Sequence, residues 1–428
     1  MPKDSGSSSS AQLTRRTLLG AVGLSAVGIA SATAASAHEH HDGRAGSGRP
    51  RSGLSFYGRN QAGIATAPQA HLQFAAVDTK VTSRSALIKL MRDLTLAAAA
   101  LTAALPVGQT GAVNGPPDLA PEDSGEALDL PAAGLTITFG FGPALFSSPG
   151  KGDRFGLADR QPPGLRQFPS FKGDALVAGR IGGDICIQAC ADDAQIAMHA
   201  VRNLMRVAGS RARVRWTQTG FNRAAALQQV TTTPRNLFGF RDGTNNIITS
   251  DQAAMDEFVW AKAADGASWM VGGSYLAVRQ IRMLIKDWDD SVLEEQEDVF
   301  GRKKSTGAPL SGGIEFTKPD FAKLAPSGKP VIDPKSHVAL AHPEQNGGVR
   351  ILRRAFNYAN SDDAKGAADV GLFFMSYQRD LDRQFVALQR QLSENDLLNE
   401  YIQHTASAAF ATPPGTTPGG YIGETLLA

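Results

Sequence analysis

The sequence predicts an α+β fold built from a repeated unit, and three observations carry the prediction. Short alternating apolar runs read as strands, longer runs of helical period read as helices, and the two occur in the same order twice. In the first half, Leu72-Gln-Phe-Ala-Ala-Val is a strand and a helix follows over about residues 85–103. Residues 105–132 are rich in Pro, Gly and acid and form a long loop. Leu135-Thr-Ile-Thr-Phe-Gly-Phe alternates as a strand should. Asp184-Ile-Cys-Ile-Gln-Ala-Cys190 is another strand, and Asp192-Asp193 cap a helix over 194–208 whose Ile196, His199, Ala200, Leu204 and Val207 share one face. In the second half, Ser274-Tyr-Leu-Ala-Val-Arg-Gln-Ile is a strand, as is Val370-Gly-Leu-Phe-Phe-Met-Ser-Tyr377. A helix over 380–392 follows, with Leu381, Phe385, Leu388 and Leu392 on one side. Each half is therefore a strand, an excursion, and a strand followed by a helix. Antiparallel sheets with helices on one face satisfy this order.

Composition narrows the class. The chain has 428 residues, 42% of them hydrophobic and 20% charged, which suits a globular protein with one large or two smaller domains. The formal net charge is +2, and no basic run follows the leader, so no nucleic-acid partner is expected. The two cysteines, Cys186 and Cys190, lie on one face of a strand, too far apart for an easy disulfide, and read as small buried apolar groups.

Residues 1–37 read as an address rather than as structure. Arg15-Arg16 precede a Gly- and Ala-rich apolar stretch that ends in Ala35-Ser36-Ala37, a small-residue cleavage site. The stretch is too weakly apolar for a stable membrane anchor. It resembles a bacterial Tat signal, which implies export of a folded protein to the periplasmic or extracellular, cell-wall side. Residues 38–53, with His38, His40 and His41, read as a solvated, disordered arm.

Three segments carry residues that an ordinary core does not need. Asp242 lies in Asn236-Leu-Phe-Gly-Phe-Arg-Asp242-Gly-Thr-Asn-Asn-Ile247, between two glycines. That is either a plain Asp-Gly turn or a carboxylate held where backbone approaches a ligand closely. His337 opens the apolar run His337-Val-Ala-Leu-Ala-His-Pro343 and is either a structural histidine or a ligand. Arg353 and Arg354 are adjacent in an apolar segment, so an extended chain sends them to opposite sides. Either both flank a surface strand, or one faces solvent and the other enters a pocket.

Together these segments resemble the dye-decolorizing peroxidases. Gly239-Phe-Arg-Asp242-Gly243-Thr244 resembles the family's GxxDG signature, and His337 to Pro343 followed by Ile351-Leu-Arg353-Arg354-Ala-Phe resembles its stretch from the iron-binding histidine to the distal arginine. Gly58-Arg-Asn-Gln-Ala-Gly-Ile64, Gly301-Arg-Lys-Lys-Ser-Thr-Gly-Ala-Pro-Leu310, Tyr377-Gln-Arg-Asp380 and Pro413-Pro-Gly-Thr-Thr-Pro-Gly-Gly420 extend the likeness over roughly residues 54–428. Two positions depart from the pattern: Ala339 stands where the family often has Arg, and His342 where it often has Asn.

The resemblance implies two ferredoxin-like halves, 54–250 and 251–428, with one b-type haem (heme b) per chain between them. It implies that His337 is the axial iron ligand and that Asp242 and Arg353 act on hydrogen peroxide, Asp242 as proton shuttle and Arg353 as a fixed cation. Gly243, Thr244, Asn245, Arg302, His342, Pro343 and Arg353 are the expected haem contacts. Asp380 or a backbone carbonyl is the expected acceptor for the other ring nitrogen of His337. The implied reductants are dyes, phenols and similar aromatic donors. Trp216, Trp260, Trp269 and Trp288 are either relays to them or core aromatics. The resemblance is also compatible with a homo-oligomer, with iron-uptake partners, and with release of iron from haem in place of peroxidase turnover. A non-enzymatic binding protein on the same scaffold is the remaining alternative.

Overall fold

The computed structural model describes residues 53–428 except 149, 151, 224–232, 362–365 and 367. The expected leader, and the arm apart from Gly53, lie outside the described residues. In the first half, β1 (His71–Thr79) leads to α1 (Arg84–Thr102), β2 (Thr136–Phe141), β3 (Ile185–Ala191), α2 (Ala194–Ala208) and β4 (Ala212–Phe221). The strands lie in the order β2-β3-β1-β4, all neighbours antiparallel. The helices start where side chains accept the first free backbone N–H groups. Ser83 Oγ accepts from Ala86 N, and Asp193 Oδ1 accepts from Gln195 N at 2.8 Å.

The second half repeats the plan. β5 (Ser274–Met283) leads through a long excursion carrying α3 (Leu293–Phe300) and α4 (His337–Ala341) to β6 (Leu352–Arg353) and β7 (Phe356–Ala359). β8 (Val370–Gln378) follows, then a π-helical segment (Leu381–Val386) running into α5 (Ala387–Asn395), then β9 (Ile402–Thr412). β8 pairs with both β6 and β7, β5 lies between β8 and β9, and the order is that of the first half.

The two four-stranded arcs close into a ring. Phe141 pairs with Ala411 at one seam and Phe221 with Asn357 at the other. Side chains alternate across a strand, so one set points into the ring. Leu72, Phe74, Cys186, Trp216, Val278, Phe356, Phe373, Tyr377, Ala408 and Phe410 fill it as a single buried cluster. Both cysteines are free and buried there, as their spacing predicts. Arg354 also points inward, and its guanidinium donates to Thr66 O and Gln69 Oε1. Of the adjacent arginines, the one that does not enter a pocket is thus buried rather than in solvent. A cation tolerates that only when hydrogen-bonded.

Outside the ring the halves differ. α1 and α2 lie directly on the first half's sheet and form one apolar cluster with Ala75, Ile137, Phe139, Ile187 and Ala189. On the second half, the outward residues Ile281 and Met283 of β5, Leu372 and Phe374 of β8, and Ile402 and His404 of β9 line a cavity. Among the described residues no helix is long and apolar enough to cross a membrane.

Candidate active site

The cavity holds about 1600 Å³ of space outside the protein atoms, its open mouth included. One wall is the sheet. The other is built by α3, α4, α5 and the loops of the excursion. Asp242, Gly243, Thr244, Asn245, Arg302, His337, His342, Pro343 and Arg353 all line it, so the expected iron ligand, peroxide-facing pair and haem contacts meet in one place. Among the described residues the lining comes from residues 236–245, in the first half as bounded from sequence, and from residues 281–404 of the second. The excursion from β5 to β6 supplies much of the wall over the sheet.

His337 enters at the first turn of α4. Its Nδ1 lies 2.6 Å from Asp396 Oδ2. Asp396 is 3% exposed, and its Oδ1 accepts from Leu398 N at 2.9 Å, which fixes the carboxylate. The partner anticipated in sequence, Asp380, is elsewhere: it caps the helix after β8, accepting from Asp382 N and Arg383 N at 2.9 Å each. An Asp between a strand and a helix satisfies free backbone donors, and this one is spent on them. Asp396 caps the short turn before β9 with one oxygen and keeps the other for His337. Burial opposes charge on His337, but the Asp396 carboxylate outweighs it and raises the imidazole pKa above its ordinary value. With Nδ1 committed, Nε2 is the nitrogen left for the cavity. The edge of Phe300 packs against the ring at 6.1 Å, and Phe300 in turn touches Trp288.

Asp242 and Arg353 come from the other wall. Arg353 ends β6, and its Nη1 lies 2.9 Å from Asp242 Oδ1. Asn246 grips the arginine backbone at both ends, donating to Arg353 O at 2.8 Å and accepting from Arg353 N at 2.9 Å. Asp242 closes a tight hairpin, its N–H donating to Pro234 O at 2.8 Å. Gly243 follows with φ of 131°, a conformation that side chains disfavour, so the glycine after the acid lets the chain turn there. Both side chains are partly open, Asp242 by 23% and Arg353 by 28%, and both line the cavity.

The rim is cationic. Arg302 Nη1 donates to Gly307 O at 2.7 Å and Glu315 O at 2.9 Å, and burial lowers the guanidinium's pKa, opposed by Glu315. Glu315, missed in the sequence, accepts from Thr244 Oγ1 at 3.0 Å and pairs with Arg241 Nε at 3.1 Å, bracketing Asp242 on both sides. The second histidine, His342, ends α4 at the cavity wall with its ring against Phe321.

The fit to a haem is chemical. An imidazole backed by a buried carboxylate offers one free nitrogen, as an axial iron ligand requires. Val338, Ile351, Leu388 and Leu392 offer apolar surface to a flat macrocycle, and Arg302 offers a half-buried cation to its carboxylate edge.

Known proteins resemble this chain closely. The family models for the Dyp-type peroxidase N-terminal and C-terminal domains match residues 61–222 and 233–417. A deferrochelatase of Yersinia pestis is 37% identical over 378 residues, covering 87% of this chain and 84% of its own. A deferrochelatase of Escherichia coli is 37% identical over 380 residues, covering 87% and 86%. Among solved structures, ferric DtpA from Streptomyces lividans is 39% identical with a TM-score of 0.81, over 88% of this chain and 98% of that one. A DyP-type peroxidase from Cellulomonas bogoriensis is 37% identical with a TM-score of 0.78, over 87% and 98%. With both domain models matched in order and the ring of two ferredoxin-like halves in place, this chain belongs to the Dyp-type peroxidase family and is a haem peroxidase.

Proposed function

We propose that this peroxidase works with His337 as iron ligand, Asp242 as proton shuttle and Arg353 as the fixed cation beside it. The observation that carries the assignment is the pairing: Arg353 with Asp242 at 2.9 Å and His337 with Asp396 at 2.6 Å, both opening on one cavity. His337 holds the haem through its free ring nitrogen, and Arg302, His342 and the Gly243-Thr244-Asn245 turn hold its edge. When bound, the haem would supply the redox chemistry, electrons for O–O cleavage that one-electron donors replace. Asp242, ionised, takes the proton from the near oxygen of hydrogen peroxide and returns it to the far oxygen, so that oxygen leaves as water. Arg353 cannot act as a base at neutral pH. It stabilises the negative charge that grows on the departing oxygen, and its Asn246 clamp keeps it from reorganising as it does so. Asp396 keeps the His337 ring oriented and electron-rich. Dyes and phenols are the reductants. Export through the Arg15-Arg16 leader places the enzyme on the periplasmic or extracellular side of a bacterium.

The test is an absorption spectrum of the haem-supplemented protein beside His337→Ala. A histidine-ligated Soret spectrum in the wild type that is lost in the variant is the expected result. An unchanged spectrum in the variant overturns the ligand assignment. A second reading, release of iron from haem, is favoured by the name of the 37% identical relatives. Iron freed from added haem without peroxide, measured against dye turnover with peroxide, separates the two.

A further inference from the structure

We propose that His404 is the hydrogen-bonding residue of an inner subsite in this cavity, one that takes a small neutral aromatic molecule bearing a hydroxyl group. The proposal rests on the peroxidase reading above and names where a phenolic reductant docks. His404 projects from β9 opposite Ile281 of β5, and both line the cavity. Its backbone is fixed, since His404 O accepts from Ala175 N at 3.0 Å. Its side chain is not: the residue is only 6% exposed, yet the imidazole has no hydrogen-bond partner among the described residues. A buried polar group without a partner costs free energy, and such groups mark places where a ligand or a water completes the set.

The surroundings select the ligand. Arg279, on the neighbouring strand, is fully buried; its two terminal nitrogens are held by the Asp174 carboxylate and by Ser407 Oγ at 3.1 Å, its Nε has no partner, and its guanidinium lies over Phe171 at 5.3 Å. Its charge is thus matched, and no free cation is left there to draw an anion. Burial, aided by Arg279, pushes the His404 pKa down to about 3, so the imidazole is neutral at working pH and offers one N–H and one lone pair. The rest of this wall is apolar: Ile281, Leu372, Phe374, Phe385 and Ile402, with the Phe374 and Phe385 rings 6.1 Å apart. One neutral donor–acceptor group in an apolar and aromatic wall matches a ring with a single hydroxyl. An anionic donor would lose its solvation there without a counter-charge.

Calorimetric titration of the haem-loaded protein with phenol and with toluene tests this. Phenol is expected to bind about 3- to 10-fold tighter than toluene, the usual worth of one neutral hydrogen bond. His404→Leu should bring that ratio to about one, and His404→Gln, which keeps a donor and an acceptor, should restore most of it. A ratio unchanged by His404→Leu overturns the proposal. So does the absence of binding heat with phenol, which leaves the imidazole to an ordered water. A loss of peroxide reactivity in His404→Leu as large as that in Asp242→Asn also overturns it, by placing His404 in the proton machinery. Failure of the wild type to develop a Soret band would sink the haem reading by itself, and phenol titration of the same protein would still decide the role of His404.

Discussion

The two halves of the ring are the same unit with opposite uses of one surface. In the first, α1 and α2 rest on the sheet through Leu87, Leu90, Ala98, Ala197 and Ala200, and the outer face is solid core. In the second, the connection from β1 to β2, residues 80–135, has its counterpart in residues 284–351, and what lies over the sheet is a cavity. Small residues let the first pair of helices sit close to the strands. In the second half, α4 is a five-residue stub propped by the excursion and contributes a histidine where α1 contributes leucines. A ligand site needs a face of sheet that is not buried by its own helices, and a connection that holds its helix off the strands provides it.

Substitutions on the two faces should therefore fail differently. The largest effect belongs to the cavity's chemistry. Asp242→Asn should slow reaction with hydrogen peroxide by ~10²–10⁴-fold in stopped flow, with folding intact. An unchanged rate would leave Arg353 as the main group acting on peroxide. Next, Leu90→Ala on the solid face should cost ~2–5 kcal/mol in denaturant unfolding, because a closed core cannot refill the hole. Leu372→Ala, facing the cavity, should cost clearly less in the haem-free protein. Equal costs would show that the second face is as tightly packed as the first. Asp396→Asn should weaken haem retention by about 10- to 100-fold while leaving the unfolding midpoint of the haem-free chain within a few degrees. Full haem retention would reduce Asp396 to a helix-turn cap.

The last effect is a pH slope. His404 binds its proton only near pH 3 when folded, against an ordinary value of about 6.5 when unfolded. Between those values the unfolded chain holds the extra proton, so stability falls as pH drops below the unfolded pKa and levels off near the folded one. The slope approaches ~1.4 kcal/mol per pH unit for one proton. His404→Gln should flatten that part of the wild-type curve, as read by urea unfolding at several pH values. A curve of unchanged slope would show that His404 is not held neutral.

Much of this was legible in the residues. Strand alternation and helix caps placed β1, β2, β3, β5, β8 and the helices beside them, because both signals are local. The motif residues Asp242, His337 and Arg353 were legible through likeness to a family, and they do converge. Asp396 was not legible. It lies 59 residues from its partner, and an Asp in a helix stop looks like any other cap. Asp380 has the same local grammar and drew the wrong assignment. Glu315 and His404 were hidden for a related reason: each acts through a contact made only when distant strands or loops meet. Trp216, Trp269 and Trp288 are buried aromatics, and of these Trp288 reaches toward His337 through Phe300.

The closing strand of the ring is also the last of the described strands in chain order. β9 slots between β5 of its own half and β2 of the other, and the residue pair Phe141 and Ala411 makes one of the two seams. A chain still being synthesised has no β9 to insert, so β2 and β5 wait as open edges that can recruit the wrong strand. Completion is consequently a whole-chain event, dominated by pairings between residues far apart in sequence and correspondingly slow. Loss of residues 402–412 would leave an unzipped sheet rather than a slightly shorter protein.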